Sequence, residues 1–165
     1  MTRNDRKPYP SPSAESIKAI IIDWLLNRHT NILIGNEIMY GSSRKVVDLL
    51  AIIDSKAIAI EIKSASDNLT RLPEQIQECH KVFDKVIIVS APSHLNSINS
   101  LIPKGIGLYA IDKSIIRIQA AATNHHTDFD QLILETSNGK DFWIHVSCRR
   151  NRRANRHQVI RYLKK

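Results

Sequence analysis

Apolar positions recur along this chain in two rhythms, and the switches between them mark out its elements. Residues 13–27 place Ile17, Ile20, Ile21, Trp24 and Leu25 at the i, i+3, i+4, i+7 and i+8 spacing of one buried helical face, with Ser13 able to cap the first turn. The rhythm then shortens. Residues 31–39, 45–54 and 56–64 are dense in Ile, Val, Leu and Ala, and Gly41-Ser42-Ser43 and Asp54-Ser55 separate them, which predicts three strands in an antiparallel meander. A second helix fits 70–83, where Leu72, Ile76, Cys79 and Phe83 form the apolar stripe. With Thr70 as its cap, Pro73 falls in the first turn, where a missing N–H costs nothing. The continuous apolar run at 85–90 reads as a strand covered on both faces. A helix over 93–101 and strands at 106–111 and 115–118 follow.

This order of elements predicts an α/β domain over residues 13–122, with a mixed central β-sheet flanked by helices. Residues 1–12 are polar, hold three of the six prolines, and read as a flexible leader. Residues 123–165 form a C-terminal extension. Within it, 132–135 and 142–146 flank Ser137-Asn138-Gly139-Lys140 and suit either a hairpin or helix, while the basic tail at 149–165 is expected to be helical.

Charge changes the picture more than overall composition does. The net charge is +8, and eight of the 24 Lys and Arg residues lie in 149–165. The 16 that remain balance the 16 Asp and Glu, every one of which precedes that segment. A neutral body with a cationic tail points to a polyanionic partner, nucleic acid first, with Arg149, Arg150, Arg152, Arg153 and Arg156 as candidate phosphate contacts. A merely solvated tail is the bland alternative. Five glycines in no GxGxxG or GxxxxGK[ST] pattern argue against a nucleotide-binding enzyme. The longest apolar run is broken at Asp23, so no membrane partner is expected. Two distant cysteines and no apolar leader suit a reducing cytoplasm. The histidines show no metal-binding spacing.

Candidate chemistry gathers in the meander. Asp48 interrupts an otherwise apolar strand, and a lone carboxylate there is costly without a partner. A hairpin turning at Asp54-Ser55 sets Asp48 opposite Glu61, with Glu61 and Lys63 on one face and Ile58, Ile60 and Ile62 on the other. Paired carboxylates on buried strands repel and raise each other's pKa, a conflict that Mg²⁺ or Mn²⁺ would remove. A cross-strand salt bridge is the plainer explanation. Glu37, in the first strand, and Glu15, at the start of the first helix, compete as a third acid.

The pattern of Asp48, Glu61-Ile62-Lys63 and then Arg71-Leu72-x-x-Gln75 resembles the PD-(D/E)XK nuclease superfamily, with Val47 where a proline is usual. The resemblance spans about 32–90. It implies a restriction-endonuclease-like core and metal-dependent hydrolysis of DNA phosphodiesters. Asp48, Glu61, the Ile62 carbonyl and Glu37 would hold Mg²⁺ or Mn²⁺, Lys63 and Gln75 would position water or phosphate, and Arg44 and Arg71 would contact DNA. By the same analogy a homodimer is expected. Two alternatives stand beside it: a catalytically silent nucleic-acid-binding or regulatory protein of the same fold, and an RNA-directed nuclease or binder.

Overall fold

The computed structural model describes residues 12–40, 44–111, 114–123, 143–146 and 158–161. Its elements are α1 (Ala14–Arg28), β1 (Ile32–Tyr40), β2 (Lys45–Ile53), β3 (Lys56–Lys63), α2 (Leu72–Val82), β4 (Lys85–Ser90), α3 (Leu95–Leu101), β5 (Gly107–Ile111), β6 (Ile115–Gln119), β7 (Trp143–Val146) and β8 (Gln158–Arg161). Strands β1 to β6 form one sheet in sequence order. The β1–β2–β3 meander is antiparallel, as the turn residues predict. β3, β4 and β5 then run parallel, with α2 and α3 as the crossovers, and β6 returns antiparallel. The α/β class and the mixed sheet are therefore present. No helix among the described residues is long and apolar enough to cross a membrane.

Two apolar layers sandwich the sheet. On one side Ile17, Ile21 and Leu25 of α1 pack on Ile58, Ile60 and Ile62 of β3; on the other, Leu72, Ile76, Cys79 and Phe83 from the α2 segment pack on Ala57, Ala59, Val86 and Ile88. Ser13 caps α1 by accepting from the Ser16 N–H at 3.2 Å. The Asp54-Ser55 turn has φ of 50° and 59°, the left-handed pair that a two-residue hairpin matched to sheet twist requires.

Several local expectations change. Ile20 is 42% exposed because α1 meets the sheet along a narrower stripe, and the buried stem of Lys18 completes that stripe. Thr70 does not cap α2: its N–H and hydroxyl donate to Asn68 Oδ1, and Arg71 takes the cap position without a side-chain bond. Pro73 still lies in the first turn. The helix expected at 93–101 begins as a 3₁₀ turn, Pro92–His94, before α3. In the tail, Gln158–Arg161 is not helix but strand β8, antiparallel to β7. The 132–135 half of the alternative hairpin lies outside the described residues.

The largest departure is in β1. Its pairing with β2 runs through Asn36↔Leu49 and Ile38↔Val47, stepping over Glu37 and Asp48, and Glu37 has φ 53°. Ile34 consequently joins the α1-side layer, whereas Ile38 and Tyr40 join the α2-side layer, although strict alternation would put all three together. β2 reverses at the same level, with Leu49 and Ala51 on one side and Val47 on the other.

Candidate functional site

The β2–β3 register follows the hairpin prediction from Ile53↔Lys56 to Leu49↔Ile60 and stops before Asp48 and Glu61. At that point the Asp48 carboxylate takes over from the ladder. Its Oδ2 accepts the Ile62 N–H at 2.7 Å, which satisfies a buried donor that would otherwise be orphaned. Asp48 therefore has a structural task on the backbone of β3.

Glu61 is 1% exposed and faces α2. Gln75 Nε2 donates to Glu61 Oε2 at 3.1 Å, and Lys63 Nζ donates to Gln75 Oε1 at 2.9 Å. Lys63 Nζ itself lies 4.0 Å from Glu61 Oε2. The structure thus brings Asp48, Glu61, Lys63 and Gln75 into one polar cluster, the first three foreseen from spacing and Gln75 from the family resemblance. Burial above all, and then the Asp48 charge, raises the Glu61 pKa to about 8, against the opposing pull of Lys63. At neutral pH the pair accordingly holds a proton.

Behind Glu61 lie two groups that spacing did not point to. Cys79 Sγ reaches Glu61 Oε1 at 4.0 Å and shares a 3.2 Å hydrogen bond with Tyr40 Oη, whose ring packs edge-on against Phe83. Burial, reinforced by the Glu61 charge, pushes the Cys79 thiol up to about 12; burial and the neighbouring thiol also raise the Tyr40 phenol. Cys79 was legible only as a core position. Tyr40 lacked any local signal, because the reversal at Glu37 decides which way it faces.

The remaining candidates lie elsewhere. Glu37 is drawn to Lys18 Nζ at 3.1 Å, and Glu15 binds the same ammonium at 3.1 Å. Burial opposes the Lys18 charge, but the two carboxylates outweigh it and raise its pKa. The two rival third acids thus share one cation on the α1 side, and the structure brings neither to Asp48 and Glu61. Ile62 contributes its amide to Asp48. Arg44 is exposed, its Nε 3.4 Å from Met39 Sδ, and Arg71 is exposed at the start of α2. Outside this candidate set, Asp67 closes the turn after β3 by accepting from the Ser64 N–H and hydroxyl, each at 2.6 Å. Arg149, Arg150, Arg152, Arg153 and Arg156 lie outside the described residues. Among the described residues, no group of three or more His, Cys, Asp or Glu side chains is arranged to hold a metal ion.

Comparison with known proteins corrects the functional expectation. The family described as Bacteriophage P4 protein cII matches this chain over residues 11–164. A curated relative, Protein cII of Enterobacteria phage P4, is 30% identical over 96 residues, covering 57% of this chain. The match covers 36% of that relative, so the chain spans about a third of its length. A solved structure, a protein of unknown function from Silicibacter pomeroyi, superposes with a TM-score of 0.58 over 78% of this chain and 86% of its own, at 14% identity; that likeness shows the fold alone. The PD-(D/E)XK resemblance is overturned by these matches, and with it the reading as a nuclease, hydrolase or endonuclease. The physical reason is visible in the cluster: an acid followed by Glu-x-Lys is a short pattern, and here its members bond one another and the backbone. Matched along nearly its whole length, the chain belongs to the bacteriophage P4 cII family.

Proposed function

We propose that this chain is a non-catalytic, nucleic-acid-binding regulatory protein on a restriction-endonuclease-like α/β scaffold, with DNA as the expected partner. One observation carries the reading: the entire net charge of +8 resides in 149–165, while the rest of the chain is neutral. Lys and Arg in such a block neutralise phosphates and release counterions without reading bases. The Asp48–Glu61 cluster supports the non-catalytic half. Glu61 is buried and accepts from Gln75, and Asp48 accepts the Ile62 amide, so each carboxylate has a partner within the fold that gives it a structural role.

Binding of the full chain to labelled duplex DNA, single-stranded DNA and RNA, with Mg²⁺ and with EDTA, tests this directly. Binding in both conditions with every strand left intact is the expected result. Metal-dependent cleavage that Glu61→Ala abolishes would overturn the non-catalytic reading, and absence of binding at low salt would overturn the nucleic-acid reading.

A further inference from the structure

The two faces of the sheet are covered unequally. Among the described residues α2 and α3 share one face, whereas α1 is the one helix that packs on the other. A helix about 10 Å wide roofs roughly two strands at their spacing of about 4.8 Å, so among the described residues one helix leaves part of a six-stranded face uncovered. On the α1 face Ile87 of β4 and Tyr109 of β5 are half-buried, and beside α1 lies a cavity of about 330 Å³. Ile58, Ile60 and Ile87 are among its apolar lining, with Trp24 and Tyr109 side by side, their rings 5.9 Å apart and nearly perpendicular.

The charged groups at this cavity are of mainly one sign. Lys56, Lys85 and Arg117 line it with His29, against Asp54 alone. Lys56 has Asp84 at 3.8 Å, but among the described residues neither Lys85 nor Arg117 has an ion pair. We infer that this cavity binds a small amphipathic carboxylate, its apolar body on the isoleucine and aromatic surface and its carboxylate held by Lys85 and Arg117. A cationic ligand would meet like charges, and a neutral one would leave both cations without a counter-charge. The volume lies at the low end of the range for small-ligand sites, about 300–1,000 Å³, which suits a compact ligand rather than a nucleotide. The site goes beyond the nucleic-acid reading and does not rest on it; in a regulatory protein it would be the place where a small effector enters.

Calorimetric titration of the full chain with decanoate, and with decyltrimethylammonium as the same apolar body bearing the opposite charge, tests the inference. Decanoate binds below its micellar concentration, and the ammonium does not. Reversing both cations (Lys85→Glu with Arg117→Glu) weakens decanoate at least tenfold while leaving the ligand-free melting temperature unchanged. Ala120→Trp, at an exposed position lining the cavity, abolishes binding by filling it. No binding of decanoate, equal binding of both probes, or binding indifferent to both sets of substitutions would each overturn the proposal.

Discussion

A proton is what allows Glu61 to sit beside Asp48 at 1% exposure. The groups facing it are Asp48 from β2, Lys63 on its own strand, and Gln75 and Cys79 from α2, with Tyr40 of β1 behind the thiol. Because the folded value is raised to about 8 from 4.5, the folded chain keeps a proton that the unfolded chain releases. The contribution is fully present below about 4.5 and is lost as pH rises through about 8. Melting temperature should therefore decline across that window. Glu61→Gln, which copies the protonated carboxyl, should flatten the decline and be the more stable form at its upper end; a variant with the full wild-type slope would place the proton elsewhere. Asp48 is tested through its acceptor. Asp48→Ala strands the Ile62 N–H and should cost about 1–3 kcal/mol in chemical denaturation, whereas Asp48→Asn, which keeps a carbonyl acceptor, should recover most of it. Both substitutions remove a negative charge next to Glu61, so the pH window should also move downward.

At the scale of elements, local rules hold where the partner is local. Ser13 accepts from Ser16 three residues on, and Ser13→Ala should cost about 1 kcal/mol of stability, read from thermal or denaturant unfolding. The same locality made α1, the meander, α2 and β4 readable from periodicity. It failed wherever an element depends on something distant. Glu37 leaves the pleat in concert with Asp48, eleven positions along, and no pattern within β1 announces that reversal. Thr70 looked like a cap until Asn68 claimed its N–H and hydroxyl. Strand β8 needs β7 as its partner, so the tail sequence alone read as helix.

For the whole molecule, the division between a neutral body and a cationic tail dictates how binding should respond to salt. If about five tail cations neutralise phosphates, affinity should fall roughly 500-fold between 50 and 200 mM salt, at a slope near −0.9 per contact. Reversing Arg150, Arg152 and Arg153 should remove most of that slope and weaken all sequences alike. The melting temperature of the body should stay where it was, since its two apolar layers are built from residues 17–111. An unchanged slope with a normal fold would show that the tail does not touch nucleic acid.

By itself the sequence determined the α/β class, the antiparallel meander and its register, the meeting of Asp48 with Glu61 and Lys63, and the placing of all excess charge in the last seventeen residues. Each follows from a period, a turn or a count that can be read along the chain. Tertiary structure decided what those residues do. Burial under α2 leaves Glu61 protonated, the Ile62 amide occupies Asp48, and Lys18 draws Glu37 and Glu15 to the α1 side. A carboxylate's role depends on desolvation and on which donor reaches it first, and both are set by contacts from elements far away in the chain.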